Sequence, residues 1–206
     1  MASVARKVRY SVAVSLDGYI ASVDGSFEWL NRATAKAKGE DFGMTKFFKS
    51  IDTVLMGRKT YEVALKMGMK NSVYPGIKNY VFSSSLPAGE RNGVEVVSGS
   101  VGKLIAKLKK ERGKDIWLCG GGDLARQALL ENAVDEITLG VVPMLVGSGL
   151  PAFPPGFNET TLELIEVKQY KAGVLGLTYK VSNGKSRAKV RSKAKPPVRK
   201  RKRVRT

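Results

Sequence analysis

The chain has 206 residues, 43% of them hydrophobic, and a formal net charge of +18. This length is sufficient for one domain with a buried core, and no apolar run approaches the roughly 20 residues that cross a membrane. Because the sequence has no histidine and a single cysteine, it excludes Ser-His-Asp and Cys-His catalysis, the common zinc sites and an intrachain disulfide. We therefore expect a cytoplasmic protein without a signal peptide, membrane segment or metal site.

The positive charge is concentrated towards the carboxyl end. Residues 184–206 contain twelve Lys or Arg and no acidic residue, whereas residues 1–183 contain 24 basic and 18 acidic residues. Such a stretch cannot bury enough apolar surface to offset the entropy of ordering. We therefore predict one domain over residues 1–183 and a disordered basic tail over residues 184–206. The tail is either a solvated extension or a segment that binds nucleic acid or another polyanion through phosphate contacts.

Apolar periodicity and turn residues predict alternating strands and helices. The predicted strands are residues 8–15, 52–57, 79–82, 94–97, 116–119, 135–142, 162–170 and 174–181. The predicted helices are residues 41–50 and 61–67, a stripe at 101–108 capped by Ser98 or Ser100, and a segment over 124–130. Residues 16–30 and 144–157 are predicted as loops, residues 171–173 as a hairpin turn, and residues 31–39 give no clear prediction.

Two strands end in glycine immediately before a helix. The first corner is Gly57, followed by Arg58, Lys59 and Thr60, and the second is the run 120–122. Glycine lets backbone N–H groups approach a ligand closely, and the positive end of the helix dipole favours an anion. A tight turn without a ligand is the alternative for each corner.

The early order of strand, helix, strand, helix, strand favours an α/β fold. We expect a mainly parallel central sheet with helices on both faces and a C-terminal antiparallel hairpin at its edge. Ligands of such sheets bind beyond the carboxyl ends of the strands. Both glycine corners, the serines after Phe82 and the loop after Ser15 lie at such ends, which strengthens the nucleotide interpretation.

Several segments resemble known reductases in combination. MGRKTYE (56–62), KNYVFSSS (78–85) and CGGGDLARQAL (119–129) resemble the cofactor-binding segments of dihydrofolate reductase, in the same order. SLDGYIA (15–21) and VDEITLGVVPMLVGSGLPAF (134–153) resemble the reductase domain of the bifunctional riboflavin-biosynthesis deaminase/reductase. The two families share the dihydrofolate reductase-like fold, and the resemblance covers about residues 8–182.

The resemblance implies a reductase that uses NADPH and forms a homodimer. By position, Ala13 and Ile20 flank the nicotinamide. The other implied cofactor contacts are Gly57, Arg58, Lys59 and Thr60 on the pyrophosphate and adenosine side, Ser83 and Ser84 with Arg58 on the 2′-phosphate, and Gly120, Gly121, Gly122, Asp123 and Leu124 around the pyrophosphate. The resemblance also implies a cis peptide between Gly120 and Gly121.

The resemblance gives two catalytic candidates on the substrate side. Asp41 occupies the position of the carboxylate that aids protonation in dihydrofolate reductase, and Asp17 matches the aspartate of the riboflavin-type SLDG segment. The alternatives are a helix-start residue for Asp41 and a turn-forming residue for Asp17.

The chain departs from both families. Glu28 precedes Trp29, where dihydrofolate reductase usually has proline, and the deaminase domain of the riboflavin enzyme is absent. The resemblance therefore implies a stand-alone reductase of a pyrimidine or pteridine. The first candidate is a 5-amino-6-(5-phosphoribosylamino)uracil reductase of riboflavin biosynthesis. The alternatives are dihydrofolate reduction and a non-catalytic protein that binds NADPH, or nucleic acid through its tail.

Overall fold

The computed structural model describes residues 5–69 and 73–182, within which eleven strands and five helices form. The strands are β1 (Val8–Ser15), β2 (Tyr19–Ala21), β3 (Ile51–Gly57), β4 (Lys78–Phe82), β5 (Gly89–Arg91), β6 (Val94–Val97), β7 (Asp115–Gly120), β8 (Glu136–Val142), β9 (Leu150–Pro151), β10 (Thr161–Gln169) and β11 (Leu175–Ser182). The helices are α1 (Glu28–Thr34), α2 (Met44–Ser50), α3 (Arg58–Lys66), α4 (Val101–Leu108) and α5 (Gly122–Leu130). The tail predicted over residues 184–206 lies outside the described residues.

Nine strands form one sheet in the order β10-β11-β8-β1-β7-β3-β4-β6-β5. The six strands from β8 to β6 in that order are parallel, whereas β10 and β11 form an antiparallel hairpin with β10 at the edge. This topology confirms the predicted fold class. All six parallel strands therefore end on the same side of the molecule, which we call the carboxyl end of the sheet.

Helices cover both faces of the sheet. On one face, α4 and α5 pack against a core that includes Tyr10, Ile116 and Leu118. On the other face, α2 and α3 pack against a second core around Val54, Met56 and Trp117. Alternation along the strands explains this division, because neighbours such as Leu118 and Trp117 point to opposite faces.

The best-predicted helix shows why these residues form it. Ser100 precedes α4 and its hydroxyl accepts a hydrogen bond from the N–H of Lys103 at 3.0 Å, so Ser100, one of the two predicted candidates, is the cap. Val101, Ile105 and Leu108 recur at helical spacing and are all buried. Capping and apolar spacing therefore agree, and the predicted and observed bounds coincide.

Some predicted loops contain regular structure. In the segment 16–30, β2 pairs with β9, which itself lies in the predicted loop 144–157. The loop prediction is wrong there because the pairing joins residues about 130 positions apart.

The helix α1 begins at Glu28 and extends into the segment 31–39, for which the sequence gave no clear prediction. Trp29 is the one buried residue of α1, so the helix has no apolar stripe that the sequence could reveal. The helix predicted from residue 41 begins at Met44, after Gly43 in a left-handed conformation. Among the described residues no helix is long and apolar enough to cross a membrane.

Candidate functional site

Most of the predicted site residues lie in segments that emerge at the carboxyl end of the sheet. β1, β7, β3 and β4 are consecutive neighbours in the sheet. Ser15, Gly120, Gly57 and Phe82 are their last residues, so the segments that follow them emerge side by side. The parallel order of these four strands thus brings together segments that are far apart in the sequence.

The two glycine corners face each other across a strip of backbone without side chains. A Cβ atom on Gly57 would lie 3.8 Å from the Gly120 oxygen and 3.8 Å from the Gly121 nitrogen. A Cβ on Gly121 would lie 3.7 Å from Thr60 Oγ1 and 4.0 Å from Ile20 Cδ1. The Gly120–Gly121 peptide is cis, as the resemblance implies. The structure thus brings together five of the predicted cofactor residues.

Both helices that begin at these corners lack a side-chain cap. α3 and α5 each have nine residues, and their N-cap positions are Gly57 and Gly121, which have no side chain to accept a hydrogen bond. The first N–H groups of a helix have no intrahelical acceptor. Two sets of such donors, both at the positive end of a helix dipole, therefore converge on the strip.

The cations at the start of α3 differ in their surroundings. The Arg58 guanidinium lies 2.7 Å from the Glu62 carboxylate one helical turn later, whereas Lys59 is exposed. The Ser83 hydroxyl accepts hydrogen bonds from the N–H groups of Ser85 and Leu86, so it stabilises the turn after β4. Ser84 is exposed beside it. The spacing of four residues between Arg58 and Glu62 could have predicted this ion pair, which holds the Arg58 guanidinium against α3.

Asp17 joins two loops at the carboxyl end. Its carboxylate accepts hydrogen bonds from the Ser15 hydroxyl at 2.6 Å and from the N–H groups of Val146 and Gly147 at 3.1 and 2.7 Å. These donors lower the pKa of Asp17, with the Ser15 hydroxyl as the largest cause. The carboxylate is therefore ionised at neutral pH and positions the loop 144–147.

Asp41 lies just before α2. Its carboxylate accepts hydrogen bonds from the N–H groups of Gly43 at 2.8 Å and Thr45 at 3.2 Å, and these donors lower its pKa. The side chain is exposed. Its neighbour Phe42 contacts Tyr170 edge to face, with ring centroids 5.7 Å apart. The helix-start role is thus present in the structure, and a second role towards substrate stays a prediction.

The remaining predicted residues are divided between the site and the core. Ala13 is half-buried and lies opposite Gly140, where a Cβ would be 3.7 Å from the Ala13 Cα. Asp123 is exposed and lies 3.3 Å from Arg126. Leu124 is buried in the core and its N–H donates to the Gly121 oxygen at 3.0 Å, so the structure gives it a packing role.

Cys119 borders this region but is unsuited to nucleophilic chemistry. Its thiol lies 3.7 Å from the Tyr74 hydroxyl, and burial raises the pKa of Cys119 to about 11. The thiol is therefore protonated at neutral pH, and the thiolate is the nucleophilic form.

Gly122 has a steric role that the sequence did not reveal. A Cβ there would run into the backbone oxygen of Pro151 and would lie 2.9 Å from the Pro154 ring. The contact joins the start of α5 to the segment that contains β9. The glycine run 120–122 was recognisable in the sequence as a tight turn. The residue that requires glycine at position 122, Pro151, is 29 residues further along the chain and could not be identified from the sequence.

Known proteins share the sequence pattern and the fold of this chain. The profile of the RibD C-terminal domain family matches residues 6–175. The uncharacterized protein YwjB of Bacillus subtilis (strain 168) is 37% identical over 169 residues, which cover 82% of this chain and 95% of that protein. A Shewanella sp. PV-4 protein, provisionally named a riboflavin biosynthesis protein, has a crystal structure with a TM-score of 0.74 and 25% identity, covering 85% and 99% of the two chains.

Two more distant structures share the fold. One is the diaminohydroxyphosphoribosylaminopyrimidine deaminase/5-amino-6-(5-phosphoribosylamino)uracil reductase of Thermotoga maritima, with a TM-score of 0.64 and 16% identity, covering 86% of this chain and 57% of that one. The other is dihydrofolate reductase from Enterococcus faecalis in complex with NADP(H), with a TM-score of 0.58 and 20% identity, covering 86% and 97%. These likenesses confirm the dihydrofolate reductase-like fold. Since the family profile spans most of the sequence, the chain belongs to the RibD C-terminal domain family.

Proposed function

We propose that this chain is an NADPH-dependent reductase of a ribosylamino-substituted pyrimidine, of the 5-amino-6-(5-phosphoribosylamino)uracil reductase type. The observation that carries the proposal is the pair of uncapped helix starts, at Gly57 and Gly121, on one strip of backbone without side chains. Membership of the RibD C-terminal domain family supports a reductase, and the name of the Thermotoga maritima relative supports this substrate class.

The geometry of the strip fits the pyrophosphate of a dinucleotide. The N–H groups at the starts of α3 and α5 are oriented donors for phosphate oxygens, and the Thr60 hydroxyl borders the same strip. Arg58 and Lys59 add positive charge beside it, which suits the 2′-phosphate that distinguishes NADPH from NADH. When bound, the reduced nicotinamide supplies the hydride. We assign its flanks to Ala13 and Ile20.

The carboxylates of Asp17 and Asp41 are better suited to accepting hydrogen bonds from the substrate or a loop than to acting as general acids. Hydrogen bonds lower the pKa of both Asp17 and Asp41, so both are charged at neutral pH. A charged carboxylate accepts hydrogen bonds from ring N–H or hydroxyl groups of a substrate. We therefore assign Asp41 to hold the substrate and Asp17 to hold the loop that borders it, with the proton taken from water at the exposed Asp41.

Thermal unfolding of the full chain with NADPH or NADH tests the cofactor assignment. NADPH at a hundred times its Kd stabilises the folded protein by about 2.7 kcal/mol, which raises Tm by roughly 5–10 °C for a domain of this size. NADH should raise it much less. If neither dinucleotide changes Tm, the reductase proposal is wrong.

Turnover then tests the substrate. NADPH absorbance should fall when the phosphoribosylamino-uracil is added, and dihydrofolate is the comparison substrate. Oxidation with dihydrofolate alone would reassign the substrate to a pteridine. Strong NADPH binding without oxidation by either compound would contradict the proposed reaction.

A further inference from the structure

A group of cationic side chains lies between the end of α4 and the start of β7. α4 follows the carboxyl end of β6 and leads back to the start of β7, so the residues after it lie at the amino end of the sheet, opposite the proposed cofactor strip. We call residues 107–114 the basic segment. Its exposed cations are Lys107, Lys110, Arg112 and Lys114.

Buried Arg6 fixes the backbone of the basic segment at two points. Its guanidinium donates hydrogen bonds to the Leu108 oxygen at 3.1 Å and to the Lys114 oxygen at 2.6 Å. The N–H of Lys114 donates to the Asp52 carboxylate at 2.7 Å. The exposed cations therefore project from a backbone that is tied to the start of the sheet.

The acidic groups around the basic segment are already paired with other cations. Asp135 lies 2.6 Å from Lys109, and Glu111, the one acidic residue within the segment, lies 3.9 Å from Lys78. Within the part of the chain that the structure describes, none of the four exposed cations forms an ion pair. The dipole at the end of α4 favours Lys107, whereas the other three cations follow the helix. The segment thus has an excess of positive charge that its own contacts do not neutralise.

Asp135 also links the basic segment to the last strand. Its carboxylate accepts hydrogen bonds from Lys109 Nζ at 2.6 Å and from the Val8 N–H at 2.7 Å. Its backbone oxygen accepts one from the N–H of Val181 at 2.9 Å. Since β11 ends at Ser182, the described part of the chain ends at the amino end of the sheet, beside this segment. The twelve Lys or Arg of residues 184–206 follow directly in the sequence.

The composition of both stretches identifies the chemistry of a ligand. Residues 107–114 and 184–206 contain no Phe, Tyr or Trp, whereas proteins that bind single strands stack bases on aromatic side chains. Duplex DNA presents its phosphates on the outside, with one charge per about 1.7 Å of helix axis, and lysine and arginine bind them without stacking. Phosphate contacts carry no sequence information, so we expect no base preference.

We propose that the basic segment and residues 184–206 together bind double-stranded DNA through its phosphates. This function is additional to the proposed reduction and independent of it, because the basic segment and the cofactor strip lie at opposite ends of the sheet. A protein molecule bound to DNA therefore keeps its strip accessible.

The salt dependence of DNA binding by the full chain tests this surface. Each phosphate contact contributes about 0.9 to the slope of log K against log salt concentration. The variant K107Q/K110Q removes two cations from the basic segment, so the slope should fall by about 1.8 and binding should weaken roughly 10- to 100-fold at about 0.1 M salt. R199Q/K200Q makes the same change of charge within residues 184–206 and should have a similar effect.

The matched control is K36Q/K38Q. It removes two exposed lysines that follow α1, whose Trp29 packs against Val142 at the carboxyl end of the sheet. Its slope and affinity should equal those of the wild type. An unchanged slope in K107Q/K110Q, or an equal decrease in the control, would overturn the proposal. Unchanged circular dichroism shows that each variant is folded.

The choice of probe separates duplex DNA from other polyanions. Fluorescence anisotropy of a labelled duplex should give a Kd of about 1 μM or tighter at low salt, and a single strand of the same length should bind more weakly. Absence of duplex binding, or a preference for the single strand, would overturn the proposal. Displacement of the duplex by phosphatidylserine vesicles at equal charge would reassign the surface to a membrane. Displacement by NADPH would place the DNA at the strip instead.

Discussion

Asp17 and Asp41 are exposed carboxylates that look alike in the sequence but hold different parts of the chain. Asp17 binds N–H groups of residues 146 and 147, about 130 positions away, so it closes a long-range contact between two loops. Asp41 binds N–H groups two and four residues ahead, so it closes a local one. Their neutralisation should therefore have different effects on the protein.

For Asp17 we expect a pH-dependent contribution to stability. Its pKa is lower in the folded state than in the unfolded chain, so its contribution is complete above about pH 4 and is lost as the pH falls through the folded pKa. The difference in Tm between wild type and Asp17→Asn should therefore be largest at neutral pH and close on acidification. The control is Glu28→Gln, which breaks an exposed helical ion pair and should change Tm only slightly at any pH. A Tm difference that is unchanged down to pH 3 would contradict this role.

The substitution Asp41→Asn separates the role of Asp41 as a hydrogen-bond acceptor at the start of α2 from the role of its negative charge. Asn caps helices about as well as Asp, so Asp41→Asn should keep Tm while lowering kcat by about tenfold or more, equivalent to at least roughly 1.4 kcal/mol of barrier. The affinity for NADPH should be unchanged. Asp41→Ala should in addition lower Tm by about 2–4 °C, since it removes the acceptor. Full turnover in Asp41→Asn would leave Asp41 with the helix-start role alone.

Arg58 should distinguish the two dinucleotides. Charge-assisted hydrogen bonds contribute about 1.5–3 kcal/mol, so Arg58→Gln should weaken NADPH binding roughly 10- to 100-fold and leave NADH binding nearly unchanged. Glu62→Gln is the matched control, because it breaks the same ion pair and retains the cation. Calorimetric titration measures both affinities. An equal loss for both dinucleotides would place Arg58 at a shared part of the cofactor.

At the scale of elements, the sequence predicted those whose apolar pattern and boundaries are local. Residues 52–57 and 94–97 are apolar and bounded by turn residues, and the predicted strands match β3 within one residue and β6 fully. In α1 the polar residues around Trp29 conceal the helical spacing. β2 and β9 exist because they pair with each other. Tertiary pairing of such short segments has no signature in either segment alone.

The candidate site shows the same division. The glycine corners and the polar residues that follow strands were recognisable, because a strand–glycine–helix pattern is local. The bond from Asp17 to Gly147 and the contact of Gly122 with Pro151 depend on how distant loops fold back. The sequence therefore indicated which residues meet at the carboxyl end, but not which of them support the others.

Adjacent glycines of the second corner should respond differently to the same substitution. Gly121→Ala adds a methyl group with ordinary spacing to Thr60 and Ile20, so Tm should change little. The added methyl group would occupy the strip where the cofactor is proposed to bind and would overpack the bound complex. A cost of about 1–3 kcal/mol corresponds to a roughly 5- to 100-fold loss of NADPH affinity. Gly122→Ala meets Pro151 backbone and should lower Tm by about 2–10 °C. The reverse pattern, measured by thermal unfolding and titration, would show that the strip is not the cofactor surface.

On the scale of the whole molecule, the end of the sheet opposite the site contains a buried arginine, Arg6, whose charge partner Asp52 is partly exposed. Arg6 is 5% exposed, pairs with Asp52, and donates hydrogen bonds to Thr53 Oγ1 at 2.7 Å and the Leu108 oxygen at 3.1 Å. It thus joins the segment before β1, the start of β3 and the end of α4. The Arg6 contacts and the proposed chemistry therefore lie at opposite ends of the sheet.

Substitution of Arg6 should consequently affect folding and spare the site. Arg6→Met leaves the Leu108 and Lys114 oxygens without the Arg6 donor and removes the charge partner of Asp52, at a cost of about 2–4 kcal/mol. Tm should therefore fall by roughly 5–12 °C. The NADPH affinity of the folded protein should match that of the wild type. Arg32→Met, at an exposed ion pair, should change Tm by about 1–2 °C at most. Lost NADPH binding in folded Arg6→Met protein would contradict this separation.

Tyr170 follows the last residue of β10, and its ring packs against Phe42, next to Asp41. Its hydroxyl lies so close to Gly43 that a Cβ there would be 2.9 Å from it. The position of the carboxylate proposed to face substrate is thereby tied to the outermost strand of the sheet. Sequence changes along that strand during divergence would therefore also shift the substrate-facing loop. Substrate preference would then evolve together with the residues at the edge of the sheet.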